Sequence, residues 1–379
     1  MTLRHILTTL GLAALLPLAA AAQGPPPPDQ PDMTVDAATR KAVVDTLTER
    51  IERLYVFPDK ARETARALRK RLASKEYDRI TSAKELADSL TSHAQAVTHD
   101  LHLRVGYRHQ AVPPMREDGP PPEAEMRRMR EQARRTNYGF ERVERLPGNV
   151  GYLDLRQFTG APEGQATAVA AMNFLGNVDA LIVDLRRNGG GSPTMIATLL
   201  TYLTNPDDRL LFNTFYEREE DRTLQFWTSP YVPGPRLHGR PIYVLTSPRT
   251  FSAAEEFAYD IQTHKLGTIV GAVTGGGAHP GGNFRVHDHF MVFVSTGRAV
   301  NPVTKTNWEG VGVKPDIAAK PGEALRVAHV EALKKIIESV KDDPDRSAAL
   351  RRALDEAGKR APDPDEDFVR PGLGGRRRS

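Results

Sequence analysis

Pro241-Ile-Tyr-Val-Leu-Thr-Ser-Pro-Arg-Thr-Phe-Ser-Ala-Ala-Glu-Glu-Phe-Ala258 is the stretch that decides the fold. Ile242 to Leu245 is apolar and β-prone, Ser247-Pro248-Arg249 is a turn, and Ala253 to Thr263 carries the pattern of an amphipathic helix. Strand, turn and helix in that order are the building unit of a parallel α/β sheet. The unit sets Ser252 at the mouth of the helix, where backbone N–H groups converge and can hold an oxyanion. The same letters allow a plainer role, because Ser252-x-x-Glu255 before an apolar run is also a capping box. The rest of the chain has to decide between the two.

The pattern repeats on both sides. Gly151 to Leu155 reads as a strand, Gln165 to Phe174 as a helix, Ala180 to Leu185 as a buried strand, and Pro193 to Leu203 as a helix. Thr268 to Val273 is the next strand, Phe284 to Thr296 a late hairpin, and Val327, Val330, Leu333, Ile337 and Val340 fall on one face of a closing helix. These elements predict a mainly parallel α/β catalytic domain over 98–325 and C-terminal helices over 326–359. Ahead of them, Val44, Leu47, Ile51 and Leu54 recur at helical spacing, with Pro58 as a stop. Leu68 and Leu72, then Leu86 and Leu90, mark two more helices. This is a small N-terminal helical bundle over 35–97.

Residues 23–34 are a Pro-rich linker, 111–122 a Pro-rich polar loop, and 360–379 a charged tail expected to be disordered. Residues 1–22 carry Arg4 and His5, an apolar run from Ile6 to Leu18 and Ala20-Ala21-Ala22, the pattern of a secretory signal peptide. The expectation is an exported protein, periplasmic or secreted, with no stable membrane span after cleavage.

The chain has 379 residues, 39% hydrophobic and 26% charged, ordinary for a globular protein of two or three domains. It has no cysteine, which excludes a thiolate nucleophile, a disulfide framework and a Cys-ligated metal. Arg127, Arg128, Arg130, Arg134 and Arg135 are interleaved with Glu123, Glu125 and Glu131, as on a solvated helix face rather than a nucleic-acid patch.

Four loops carry the chemistry. The first is His99-Asp100-Leu101-His102. The second is Asp184-Leu-Arg-Arg-Asn-Gly-Gly-Gly191, between a buried strand and a helix, where three glycines permit close backbone approach. The third holds Ser252. The fourth runs from Asn301 to Asp316 and contains Trp308-Glu309-Gly310. Serine, histidine and carboxylate are the minimum set for nucleophilic hydrolysis. A metal reading built on His99, His102, His279, His287 and His289 lacks an accompanying acidic cluster in the sequence, so no metal is expected.

Asp184-Leu-Arg-Arg-Asn-Gly-Gly-Gly191, Thr250-Phe-Ser-Ala-Ala-Glu255, Thr274-Gly-Gly-Gly-Ala-His-Pro280 and Glu309-Gly-Val-Gly-Val-Lys-Pro-Asp316 resemble the tail-specific, or carboxyl-terminal processing, serine proteases. Within that family it resembles more the branch of the tricorn protease core and interphotoreceptor retinoid-binding protein. It implies a crotonase- or ClpP-like α/β domain that hydrolyses peptide bonds of a polypeptide substrate without a cofactor. It implies Ser252 as nucleophile, with Ala253 and one of Gly190 and Gly191 forming the oxyanion hole. The loop Thr274 to Ala278 lacks the lysine that many relatives pair with the serine. His102 with Glu309 therefore matches the tricorn-like arrangement, and His279 is the alternative base. The stretch from His102 to Val150 is too short for an inserted PDZ domain. A non-catalytic peptide- or lipid-binding protein on the same fold stays open, as does the oligomeric state.

Overall fold

The computed structural model describes residues 30–114, 123–364 and Phe368. In chain order the elements are α1 (Ala37–Leu54), α2 (Pro58–Ala73), α3 (Ala83–Thr98), β1 (Arg104–Tyr107), α4 (Glu123–Arg135), β2 (Phe140–Leu146), β3 (Val150–Leu155), α5 (Ala161–Phe174), β4 (Ala180–Asp184), α6 (Pro193–Leu203) and β5 (Leu211–Glu217). They continue with β6 (Arg222–Trp227), β7 (Ile242–Thr246), α7 (Ala253–Thr263), β8 (Thr268–Gly271), β9 (Gly281–His287), β10 (Phe290–Ser295), β11 (Gly297–Val300), β12 (Ile317–Ala318), α8 (Ala324–Ser339) and α9 (Pro344–Gly358).

The central sheet has the order β12-β8-β7-β4-β3-β2. Every pairing from β12 to β3 is parallel, and β2 closes the edge antiparallel to β3. Side chains alternate across a strand, so each strand feeds two cores. Leu153, Leu155, Leu181, Val183 and Val244 face a core completed by α5, α6 and α7, including Leu199 and Phe257. Tyr152, Ile182, Tyr243 and Leu245 face the other, beneath α8 and α9. The strands β4 and β7 are buried along their whole length, which is why they read as unbroken apolar runs.

Two small antiparallel sheets flank this body, β1-β10-β9 and β11-β5-β6. The helices α1 to α3 share their core with the first. Leu47, Ile51 and Leu90 pack with Val105, Tyr107, Phe290 and Val292. The Tyr55 carbonyl accepts from Arg218, and Val56 N–H donates to the Ser295 carbonyl at 2.8 Å. The N-terminal helices are therefore tied to the strands that carry the site. Among the described residues between β1 and β2 lie α4, with no buried residue, and a short 3-10 turn.

Three expectations change. Pro58 does not stop α1, which ends at Leu54; it occupies the first turn of α2, where its missing N–H is harmless. On α8 the buried stripe is Leu325, Ala328, Ala332, Leu333 and Ile336, and Val327, Val330 and Ile337 sit at its margins. Ala328 and Ala332 let the helix lie close on the sheet between Leu325, Leu333 and Ile336, and the valines and Ile337 fall on the flanks of that stripe. In the tail, the Phe368 ring is 1% exposed, with the guanidinium carbons of Arg186 and Arg187 at 4.6 and 5.4 Å from its centroid. The signal segment, the linker up to residue 29 and the rest of 365–379 lie outside the described residues. No helix among the described residues is long and apolar enough to cross a membrane.

Candidate active site

Ser252 is the N-cap of α7 with φ 56° and ψ −126°. A non-glycine residue in such sparsely populated space costs of order 1–3 kcal/mol and persists only where its surroundings over-determine it. Here they do. Phe251 N–H donates to the Asn188 carbonyl at 3.1 Å, Thr250 Oγ1 to the Leu185 carbonyl at 2.8 Å, and Ser252 N–H to Glu255 Oε2 at 2.9 Å. The Glu255 half of a capping box is thus formed, while Glu255 N–H donates to the Ser252 carbonyl and not to its hydroxyl. A strained strand-to-helix turn of this kind thrusts its side chain outward from the sheet.

The glycine loop leaving β4 lies against this turn. Gly190 and Gly191 have φ of 114° and 141°. A Cβ on Gly190 would fall 2.8 Å from Ser252 Cβ, and one on Gly191 would fall 2.1 Å from the Phe158 carbonyl oxygen. Asn188 fastens the loop, its Nδ2 donating to the Leu155 carbonyl at 2.9 Å and its Oδ1 accepting from Gly190 N–H at 2.8 Å. Below the loop, Asp184 takes Arg186 in a buried two-point ion pair, and the Tyr152 hydroxyl donates to it at 2.8 Å.

Glu255, fully buried on the first turn of α7, is the anchor of the loop after β8. Its carboxylate accepts from Thr274 Oγ1 (2.5 Å), Gly276 N–H (2.6 Å) and Gly277 N–H (2.8 Å) besides Ser252 N–H. Burial pushes its carboxyl up to about 7 against the pull of these donors. The loop carrying Glu309 zips onto the same segment. Gly310 N–H donates to the Gly276 carbonyl, and the buried Trp308 indole donates to the Gly277 carbonyl at 2.8 Å. That bond accounts for the tryptophan beside Glu309.

Histidines and carboxylates meet at this junction. His102, from the loop between α3 and β1, lays its ring 4.5 Å from that of Phe251 and 5.4 Å from that of Phe293. Asp100 Oδ1 accepts from His102 N–H at 2.8 Å. His279 Nδ1 stands 3.4 Å from Glu309 Oε2 and 3.8 Å from Asp100 Oδ2. Ala278 N–H donates to Glu309 Oε2 at 2.5 Å. The two carboxylates are driven apart electrostatically. Burial would raise Asp100, but the His279 and His102 imidazoles beside it hold it at about 2. Burial and the Asp100 charge push Glu309 up to about 7. Burial would lower His279, yet Asp100 and Glu309 outweigh it and raise it.

The fold thus brings Ser252, Ala253, Gly190, Gly191, His102, Glu309 and His279 into one junction, and both candidate bases belong to it. The other histidines stay outside. His99 caps α3 in the left-handed conformation, while His287 ends β9 and His289 Nδ1 lies 3.0 Å from the Arg108 carbonyl. Sequence reasoning read Glu255 only as a capping residue and gave no part to Asp100 or to Tyr55, whose buried hydroxyl faces Asp100. The Asp-x-His spacing held the only signal for Asp100.

Residues 149–319 match Peptidase family S41, and residues 35–137 match the N-terminal domain of Peptidase_S41 in eukaryotic IRBP. Carboxyl-terminal-processing peptidase 1, chloroplastic, of Arabidopsis thaliana is 25% identical over 187 residues, covering 49% of this chain and 36% of its own. The chain therefore spans about a third of the length of that curated relative. Among solved structures, mature CPAF superposes with a TM-score of 0.51 at 12% identity, over 84% of this chain and 97% of that one, which shows a shared fold. The photosystem II D1 C-terminal processing protease gives 0.47 at 16% identity, over 84% and 98%. With its N-terminal helices and its α/β body both matched, the chain belongs to peptidase family S41.

Proposed function

We propose that this chain is a serine-type peptidase that hydrolyses peptide bonds of polypeptide substrates, acting as an exported carboxyl-terminal processing enzyme. The observation that carries the reading is the strained backbone of Ser252 at the N-cap of α7, pressed against Gly190. Ser252 Oγ attacks the carbonyl carbon of the scissile bond, and its proton passes to the His102 imidazole. Glu309 steadies the imidazolium through the junction it shares with Asp100 and His279. The carbonyl oxygen becomes an oxyanion, held by the Ala253 N–H, an orphan donor of the first helical turn, and by the Gly191 N–H. Gly190 gives its own N–H to Asn188, so its part is to let the loop reach Ser252. The proton then moves from His102 to the leaving amine, and water hydrolyses the acyl ester in the reverse sequence.

The test is covalent. A fluorophosphonate probe should modify the protein once, at Ser252 by peptide mapping, and Ser252→Ala should remove both labelling and cleavage of an unfolded protein substrate. A folded wild-type chain that neither labels nor cleaves would replace this reading with a binding role on the same fold.

A further inference from the structure

The junction of imidazoles and carboxylates has a second chemical property. One donor atom each from Asp100, His102 and Glu309 lies within 4.8 Å of the other two. His279 Nδ1 closes on the same carboxylates at 3.4 and 3.8 Å. Bonds of about 2.0–2.2 Å to a tetrahedral Zn²⁺ place neighbouring ligand atoms about 3.3–3.6 Å apart; the 3.4 Å edge already meets that geometry, the 3.8 Å edge needs a few tenths of an ångström, and the widest edges need about 1.5 Å of side-chain movement. Independently, Asp100 Oδ2, His279 Nδ1 and Glu309 Oε1 are buried with no hydrogen-bond partner among the described residues. Asp100 is 1% and His279 6% exposed, and such orphaned groups are destabilising unless something else satisfies them. The sequence shows no acidic cluster beside the histidines; the fold brings Asp100 and Glu309 to them from two separate loops.

We propose that Asp100, His102 and Glu309, with His279 as fourth ligand, form a binding site for a four-coordinate divalent transition ion of the Zn²⁺ class, and that the bound ion silences the serine by occupying its base. Mixed nitrogen and oxygen donors in a small cage suit Zn²⁺ and neighbouring ions, whereas Mg²⁺ and Ca²⁺ require six or more oxygens. The binding stands on these residues alone; the silencing rests on the peptidase reading above.

The experiment titrates chelator-treated full-length protein with ZnCl₂ by calorimetry and with CoCl₂ by visible absorption. Expected are one ion per chain at micromolar affinity or tighter, and the intense Co²⁺ absorption of a four-coordinate site. Mg²⁺ should not compete. Asp100→Asn and Glu309→Gln, checked for folding by circular dichroism, should each weaken binding at least about tenfold. Peptidase activity and Ser252 labelling should fall along the same Zn²⁺ titration and return with EDTA. Absence of saturable binding, or binding unchanged in both folded variants, overturns the site. Tight binding that leaves an active enzyme untouched overturns the silencing. A protein that binds one Zn²⁺ as described yet never cleaves peptides keeps the site and loses the peptidase reading instead.

Discussion

A β-carbon on Gly190 would stand 2.8 Å from Ser252 Cβ, closer than real Cβ atoms approach. It would also meet the Phe251 carbonyl oxygen at 3.0 Å and Ala253 N at 3.1 Å, in a backbone whose φ of 114° disfavours any side chain. Gly190→Ala must therefore push the glycine loop and the serine turn apart. The loop is fastened to that turn through Asn188 and Phe251, so the next N–H, that of Gly191, moves with it. Loss of an oxyanion donor lowers turnover by about 10²–10³. The fall should lie in kcat, with KM little changed, because the contact strengthens in the transition state. Steady-state kinetics on a peptide substrate decide this, and a raised KM at unchanged kcat would assign the loop to ground-state binding.

Glu255 offers a second handle on the same geometry. Its carboxylate gathers four donors from the serine turn and the 274–277 segment. Glu255→Ala strands all four, and each buried donor left unsatisfied costs about 1–3 kcal/mol. The expected result is a fall of several kcal/mol in urea-unfolding stability together with loss of Ser252 labelling. Glu255→Gln keeps one acceptor but turns an NH₂ toward donors, so it should recover stability only in part. Full labelling in Glu255→Ala would mean that the turn holds its shape without this anchor.

Most of this fold is legible in the sequence because fully buried parallel strands announce themselves. The runs at β4 and β7, and the helices α6 and α7, stand where their apolar periods place them. Ser252 is legible because a turn between strand and helix leaves one position for it. What stays hidden depends on contacts far apart in the chain. Asp100 is an ordinary acid beside a histidine until β1 and β10 pair and carry its loop to Glu309. Glu255 looks like a capping residue, and nothing local shows that it also receives Thr274, Gly276 and Gly277. Phe368 sits in a segment whose composition reads as solvated, and its burial arises from two arginines on the loop after β4.

A pair of carboxylates on α7 makes stability depend on pH. Glu256 and Asp260, one turn apart, are 3% and 0% exposed, with Asn301 Nδ2 donating to Asp260 Oδ1 at 3.1 Å. Burial pushes Glu256 up to about 7, and burial with the Glu256 charge holds Asp260 well above its ordinary value. Both groups are raised by folding. Their contribution is therefore complete below the unfolded carboxyl values of about 4, and it is lost as pH rises through about 7. Urea midpoints should be higher at pH 5 than at pH 8. Glu256→Gln should narrow that difference by raising the pH 8 midpoint. A midpoint gap as wide in Glu256→Gln as in the wild type would place the pH dependence elsewhere.

The assignment of the base turns on what each histidine touches. The His102 ring packs on Phe251, the residue before Ser252, and a Cβ on Gly277 would fall 2.7 Å from its Cε1. His279 instead packs against Phe57, with its ring centroid 5.2 Å away, and faces the two carboxylates. His102 thus lies on the Phe251 side of the junction and His279 on the Phe57 side, and both reach the acids. Removing a general base costs about 10²–10⁴ in turnover. His102→Ala should lose that much and regain part of it with added imidazole, which can enter the space left by the ring. His279→Ala should fall by a smaller factor, since it leaves Asp100 and Glu309 facing each other without the imidazole beside them, and added imidazole should not restore it. Both variants should be measured as kcat/KM on one peptide substrate, with folding confirmed by circular dichroism. If His279→Ala is inactive and imidazole-rescued while His102→Ala is nearly normal, the proton leaves Ser252 through the Gly277-Ala278-His279-Pro280 loop, and the roles of the two histidines exchange.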